Sequence, residues 1–191
     1  EHVIATVETI EIMKERYGSN FCKKSTELKY HEKLIIEEVE IFLAPAGHVL
    51  GSAQVVMNFA NQVITVSGDY KRQDDPTCAA FEPIKSDIFI TEATFALPVF
   101  KHPNANTQIN LLIKSIQNFP ERCHVIGVYS LGKAQRLIKM LRNNGWHNTI
   151  YLHGSLVKIC NLYEKFGIDL GDLEPATIQD KPEKPHDFYK G

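Results

Sequence analysis

One histidine and two carboxylates stand where short hydrophobic runs of the sequence end. His48 lies in the stretch APAGHVLGSAQV between Gly47 and Gly51, Asp69 follows a hydrophobic run in VSGDYKR, and Glu92 does so in ITEATF. Glycines allow a sharp turn and a close approach of the backbone to another group. Imidazole nitrogen and carboxylate oxygen are common zinc ligands, and a carboxylate can bridge two metal ions. These residue types therefore suggest a metal site.

Each of these residues also has a purely structural interpretation. A lone loop histidine such as His48 is usually a polar surface residue, and Asp69 could cap its own backbone in a turn. Glu92 is expensive to bury without a partner, so it could instead pair with a nearby Lys or Arg. In the catalytic interpretation, Lys71 or Arg72 lies near a phosphate. The residues alone leave both interpretations open.

A second group of candidate residues lies in the stretch YSLGKAQR. A predicted strand ends near Tyr129, and Ser130 and Gly132 then open a predicted helix. Lys133 and Arg136 lie about one turn apart on the polar face of this helix. Unpaired N–H groups and the positive end of the helix dipole can bind a phosphate, and the two cations add to that attraction. The alternative is an ordinary solvated helix that Ser130 caps.

The pattern of hydrophobic residues divides the chain near residues 98–104. Before this boundary it predicts a helix over Val7–Tyr17, a strand in EEVEIFLAP, a hairpin that turns at Ala60 and Asn61, and a buried strand in DIFITEATF. After the boundary, three stretches of helical spacing alternate with the predicted strands CHVIGVY and TIYLH. This β-α-β-α order predicts an α/β fold with a parallel sheet and crossover helices.

Composition and charge narrow the classes of protein. The 191 residues are 43% hydrophobic and 23% charged, which is typical of a soluble globular protein. The net charge is −2, so a contact with nucleic acid needs a local basic patch. Four dispersed cysteines without a CxxC pair indicate reduced thiols in the cytoplasm. No apolar run approaches the roughly 20 residues that cross a bilayer, so we expect no membrane association.

The order of these motifs resembles one protein family. The stretches APAGHVLGSAQV, VSGDYKR and TEATF resemble motifs of the metallo-β-lactamase superfamily, in its β-CASP branch. VYSLGKAQRLIKML and LHGSLVKICNLYEKFGI resemble the inserted β-CASP domain of one subgroup, the bacterial DNA-ligase-associated exonucleases, also labelled mRNA 3′-end-processing-like. The resemblance extends to about Leu173. It implies a partial αββα metallo-β-lactamase sandwich over 1–100, the start of a Rossmann-like β-CASP domain over 101–171, and an irregular tail over 172–191.

The resemblance also implies roles for the candidate residues. His48 resembles a ligand histidine, and Asp69 resembles the aspartate that bridges two divalent metals, usually zinc. Glu92, the candidate catalytic residue, resembles an acidic residue that accepts a hydrogen bond from a ligand histidine and fixes its tautomer. The candidate substrate contacts are Lys71, Ser130, Lys133 and Arg136.

The function implied by the resemblance is that of a metal-dependent exonuclease. It would hydrolyse phosphodiester bonds of DNA in a repair setting, with a DNA ligase and a helicase as partners. RNA is the alternative substrate. The family's HxHxDH motif is absent from this sequence, and a catalytic zinc takes about three protein ligands. We therefore expect an internal fragment that binds metal weakly or not at all and is inactive alone, or, as a third alternative, a non-catalytic nucleic-acid-binding remnant.

Overall fold

The computed structural model describes residues 1–176 of the chain. Contacts divide the chain into two compact units, the first over Glu1–Leu97 and the second beginning at Pro98. Both units mix helices with strands, which confirms the predicted α/β class. The assignment of the two units to the domains of the resembled family stays a prediction. Within the described residues, no helix is both long enough and apolar enough to cross a membrane.

The first unit contains one helix and seven strands. In chain order they are β1 (His2–Ala5), α1 (Val7–Tyr17), β2 (Lys24–Glu27), β3 (Leu34–Ile36), β4 (Val39–Pro45), β5 (Ala53–Phe59), β6 (Gln62–Val66) and β7 (Ile88–Ile90). Strands β3 to β7 form a sheet in sequence order, antiparallel except for the parallel pair of β6 and β7. Strands β1 and β2, which precede and follow α1 in the chain, pair in parallel with each other.

The centre of the sheet follows the sequence prediction. Strands β5 and β6 are joined at Ala60 and Asn61, whose φ angles are 48° and 61°. Two successive positive φ angles are typical of a type I′ turn, which matches the twist of the flanking strands. In β5 the alternate residues Gln54 and Val56 are buried, and β4 ends in a continuous buried run over residues 43–45. The predicted helix over Val7–Tyr17 is confirmed with the same bounds.

The predicted burial of the DIFITEATF strand is wrong. Only Ile88–Ile90 form a strand, and all three side chains are exposed. In the described residues β7 pairs with β6 on one side and is the last strand of the sheet. The side chains of a strand are buried only where another layer covers the faces of the sheet, so hydrophobicity alone does not decide their burial.

The described part of the second unit, residues 98–176, contains three helices and two short strands. They are α2 (Ala105–Asn118), α3 (Lys133–Asn143), β8 (Ile150–Leu152), α4 (Gly154–Lys165) and β9 (Leu173–Pro175). Strands β8 and β9 pair in parallel, with α4 as the connection between them. The predicted strand in TIYLH is thus confirmed over Ile150–Leu152, but its parallel partner is β9 and not the predicted strand CHVIGVY.

Two predictions for the second unit need correction. Residues 123–129, the predicted strand CHVIGVY, are in no helix or strand, and Val125 is 90% exposed. A hydrophobic run becomes a strand only where another strand accepts its hydrogen bonds, and none of the described strands pairs with this one. The predicted irregular tail, 172–191, begins with β9 instead, and residues 177–191 lie outside the described part of the chain.

A buried arginine holds the end of the second unit together. The guanidinium of Arg142 donates hydrogen bonds to the carbonyl oxygens of Leu170 (2.8 Å), Trp146 (3.0 Å), Asn148 (2.6 Å) and Asp172 (2.6 Å). These carbonyls lie in the segments that lead into β8 and β9. Arg142 therefore supplies donors to backbone carbonyls beside the short strand pair, and the carbonyl of Asp172 also accepts the N–H of Ile150 in β8 at 3.1 Å.

Candidate functional site

The turn between β4 and β5 positions His48. The hydroxyl of Ser52 accepts hydrogen bonds from the backbone N–H groups of His48 (3.0 Å) and Val49 (3.1 Å). The N–H of Ala46 in turn donates to the carbonyl of Ser52 at 3.0 Å. The backbone beneath the imidazole is thus fixed by a side chain from the same turn.

Gly47 lets a neighbouring loop approach this turn closely. Its φ is 70°, and a Cβ built on it would lie 2.4 Å from the carbonyl oxygen of Lys71 and 2.8 Å from the backbone nitrogen of Phe81. Both neighbours are backbone atoms, which cannot move aside cheaply. Lys71 also donates its N–H to the carbonyl of Ala46 at 3.0 Å. The glycine therefore brings the loop that follows β6 against the histidine turn.

Gly51 packs the other end of the turn against the start of α1. Its φ is 75°, and a Cβ there would lie 2.6 Å from Cβ of Glu8 and 2.8 Å from Oγ1 of Thr6. The hydroxyls of Thr6 and Thr9 lie 2.7 Å and 3.0 Å from the carbonyl oxygen of Gly51. The turn is thereby attached to the first turn of the helix.

The structure brings His48 and Asp69 together. Nε2 of His48 lies 3.8 Å from Oδ2 of Asp69, and the two side chains are 43% and 73% exposed. Zinc binds such donors at about 2.0–2.2 Å, so two atoms on one ion can lie up to about 4 Å apart. The pair therefore fits a shared metal ion.

Within the described residues, two donors fit a metal ion and no third one joins them. Among residues 1–176, no group of three or more His, Cys, Asp or Glu side chains could hold a metal ion. A catalytic zinc takes about three protein ligands. His48 and Asp69 are thus a pair of potential donors, and a metal site at this pair, like the expected weak binding, stays a prediction.

Glu92 follows β7 and ties its loop to the loop that carries Asp69. Its Oε2 accepts the backbone N–H of Thr94 at 2.8 Å. That hydrogen bond, followed by those from the Thr94 hydroxyl and the Tyr70 backbone, lowers the pKa of Glu92, and the charge of His48 adds to the effect. The carboxylate is therefore engaged mainly by backbone amides. Its predicted hydrogen bond to a ligand histidine remains a prediction.

Lys71 has a partner that the sequence did not suggest. Its ammonium forms an ion pair with the buried carboxylate of Asp75, and it lies 3.4 Å from the carbonyl oxygen of His48. Asp75 also accepts hydrogen bonds from the backbone N–H (2.9 Å) and hydroxyl (2.6 Å) of Thr77. In this arrangement Lys71 supports the loop. The DPT sequence indicates the turn of Asp75, because an aspartate two residues before a threonine commonly bonds that backbone.

The second candidate site begins at Gly132, the N-cap of α3. The side-chain oxygen of Gln135 accepts the N–H of Gly132 at 2.8 Å, while its amide nitrogen donates to the carbonyl of Ser130 at 3.0 Å and approaches Sγ of Cys160 at 3.4 Å. The prediction that Ser130 caps the helix is therefore wrong. Gly132 is suited to the position because its φ of 81° is unfavourable for other residues.

The first amides of α3 are not free to bind a phosphate. The N–H of Lys133 donates to the carbonyl of Leu131 at 3.1 Å, and the N–H of Ala134 donates to that of Tyr129 at 3.2 Å. Lys133 itself is exposed, with its ammonium 4.6 Å from the centroid of the Tyr129 ring. Arg136 lies on the next turn and is half-buried. An anion at this site would thus depend on side chains.

Comparison with known proteins identifies relatives of this chain. The chain is 33% identical over 147 residues to "Cleavage and polyadenylation specificity factor 73" of Drosophila melanogaster, covering 72% of this chain and 21% of that protein. It is 33% identical over 119 residues to "Endoribonuclease YSH1" of Gibberella zeae, covering 60% and 14%. The chain thus spans about a fifth or less of the length of these relatives.

A third relative is short. The "Uncharacterized protein in lig 3'region" of Acidianus ambivalens is 28% identical over 144 residues, which are 74% of this chain and 99% of that protein. Among solved structures, a protein of unknown function from Enterococcus faecalis V583 has a similar fold, with a TM-score of 0.58 and 14% identity over 98% of this chain and 48% of its own. No family model matches the sequence.

Proposed function

The matched part of this chain belongs to the β-CASP branch of the metallo-β-lactamase superfamily, and on that premise we propose that it is a portion of a metal-dependent nuclease that acts on RNA. The single observation that carries the proposal is the approach of His48 and Asp69, donor atoms 3.8 Å apart at the ends of neighbouring strands. The names of the relatives, an endoribonuclease and a cleavage factor, support nuclease chemistry.

RNA replaces DNA as the favoured substrate. Sequence analysis favoured a DNA exonuclease with a DNA ligase and a helicase as partners. The relatives named for an activity are called endoribonucleases, and the relative from the lig region is named for its location, without a substrate. The RNA alternative is therefore better supported, and the ligase and helicase are not part of this proposal.

The residues of this chain would contribute a rigid pair of metal donors. His48 offers a neutral nitrogen and Asp69 a charged oxygen, a set that suits zinc. When bound, the metal supplies a Lewis acid and an activated water. Glu92 holds the loop after β7 against the loop after β6 through the backbone of Tyr70. Lys71 and Asp75 fix the latter loop from within.

The second unit would contribute contacts to the phosphates of the strand. Lys133 and Arg136 place two cations on successive turns of α3. Because the chain as a whole has a net charge of −2, such a local pair is the kind of feature that nucleic-acid binding requires. Ser130 would contribute its hydroxyl as a hydrogen-bond donor.

Cleavage of matched single strands tests the proposal. The assay compares RNA and DNA oligonucleotides of one sequence, incubated with the full protein that carries this chain, with and without a chelator. We expect faster cleavage of RNA, loss with chelator, and a loss of about a hundredfold or more in His48→Ala and Asp69→Asn. His31→Ala is the matched control, because His31 is an exposed histidine of the same unit that pairs with Glu82.

Three results would change the conclusion. Equal or faster cleavage of DNA would restore the DNA substrate. Full activity in both His48→Ala and Asp69→Asn would remove these residues from the metal site. Strand binding without any metal-dependent cleavage would favour the non-catalytic alternative.

A further inference from the structure

Tyr129 presents an aromatic ring to solvent directly before α3. Its side chain is 72% exposed, although it ends a hydrophobic segment, 123–129. The ammonium of Lys133 lies over the ring, 4.6 Å from its centroid. A cation over one face of an aromatic ring is attracted by the ring's quadrupole and leaves the opposite face to other partners.

The backbone that follows this ring is fixed by buried groups. The carbonyl of Tyr129 accepts the N–H of Ala134 at 3.2 Å, and Ala134 is buried. The fully buried amide of Gln135 bonds both Ser130 and Gly132, which separate the tyrosine from α3. The ring is therefore presented from a well-anchored loop, so little main-chain freedom is lost when a ligand packs on it.

An exposed ring beside cations matches the chemistry of a single nucleic-acid strand. Every nucleobase has a π-face that can stack on an aromatic side chain, and the adjoining phosphates are drawn to Lys or Arg. An exposed aromatic residue by itself needs no such explanation. Here Lys133 lies on the ring and Arg136 is on the next turn of the same helix.

We propose that Tyr129 is a stacking platform for a base of a single-stranded nucleic acid, with Lys133 at the neighbouring phosphate. The choice of RNA as that strand rests on the proposed function, whereas the stacking itself does not. Because stacking tolerates any base, this contact would hold the strand without selecting its sequence.

Binding to strands with and without bases tests the platform. The probes are a fluorescein-labelled oligouridylate, its DNA counterpart, and an abasic strand of the same length, measured by anisotropy with the whole chain at two salt concentrations. We expect Tyr129→Leu to weaken binding of base-bearing strands about tenfold and to leave the abasic strand unchanged. Tyr129→Trp should restore the affinity, and Lys133→Ala should reduce the salt dependence.

Tyr17 provides a matched control. It is 61% exposed and has the guanidinium of Arg16 over its ring at 5.3 Å, in the first unit. Tyr17→Leu should leave the affinity for every strand unchanged. An equal loss in Tyr17→Leu and Tyr129→Leu, an equal loss on the abasic strand, or no binding by the wild-type chain would overturn the platform. Circular dichroism of each variant checks that it is folded.

The two proposals can fail separately. If the RNA is cleaved in a His48-dependent way while Tyr129→Leu binds like the wild type, the platform is wrong and the nuclease proposal stands. If Tyr129 controls binding but no strand is cleaved, the nuclease proposal is wrong and the platform stands. Tighter binding of DNA than RNA, still dependent on Tyr129, would contradict only the choice of strand.

Discussion

The two units hold their candidate residues in place by different means. In the first unit, the turn of His48 is fixed by backbone packed so closely that Gly47 and Gly51 have no room for a Cβ. In the second unit, where the described sheet has two strands, the buried side chains of Gln135 and Arg142 bond the loops. The comparison shows that buried polar side chains can satisfy backbone groups where strand pairing is short.

Removing the guanidinium of Arg142 should produce the largest effect. Arg142→Met would remove a donor from four backbone carbonyls, of which that of Asp172 keeps the N–H of Ile150, so we expect the free energy of unfolding of the second unit to fall by about 4 kcal/mol. The fluorescence of Trp146, the single tryptophan of the sequence, measures this during urea unfolding. Arg122→Met is the control, because Arg122 is an exposed arginine of the same unit. Equal losses in the two variants would show that the comparison between the units is wrong.

A methyl group at Gly51 tests whether close packing fixes the turn of His48 in the first unit. Gly51→Ala would force a Cβ to within 2.6–2.9 Å of atoms at the start of α1, and we expect a loss of about 3 kcal/mol. Gly68→Ala is matched in unit and has a φ of 57°, but its Cβ would meet only the carbonyl oxygen of Ala53 at 3.8 Å, an ordinary contact distance. It should cost only about 1 kcal/mol of backbone strain. Hydrogen exchange of the β4 and β5 amides measures both, and similar losses would mean that close packing is not what fixes the turn.

The titration of Glu92 tests how backbone groups hold the loops of the first unit. We expect it to give the smallest of these effects. Because hydrogen bonds from backbone amides lower its folded pKa, the stability that this carboxylate contributes is fully present above the unfolded pKa of about 4.3. It is lost as the pH falls through the lower folded value. A carbon-detected NMR titration of the Glu92 carboxyl should have its midpoint below about 4.3. Thr94→Pro, which lacks the donating N–H, should raise that midpoint, and an unchanged midpoint would contradict this account.

Local patterns predicted the elements that local forces decide. The spacing of Ile10 and Met13, together with Gly18, indicated α1 and its end. Ala60 and Asn61 indicated the hairpin because few residues tolerate a positive φ. The three stretches around His48, Asp69 and the β7 terminus were also recognisable, since each follows a strand.

The remaining features depend on partners distant in sequence. The hydrophobicity of 123–129 indicated a strand, but pairing depends on a second strand. Arg142 lies in an amphipathic helix, where an arginine is usually exposed to solvent. Its four carbonyl partners come together only in the folded unit. None of these is encoded in spacing along the chain.

The order of strand pairing has a consequence for the order in which His48 and Glu92 come into place during folding. Strands β4, β5 and β6 pair across short connections, whereas β7 reaches β6 only after the chain has run through residues 67–87. Loop-closure entropy makes the longer closure slower. The turn of His48 should therefore be in place before Glu92 arrives. Pulsed hydrogen exchange during refolding should protect the amides of β5 and β6 before those of β7, and simultaneous protection would contradict this order.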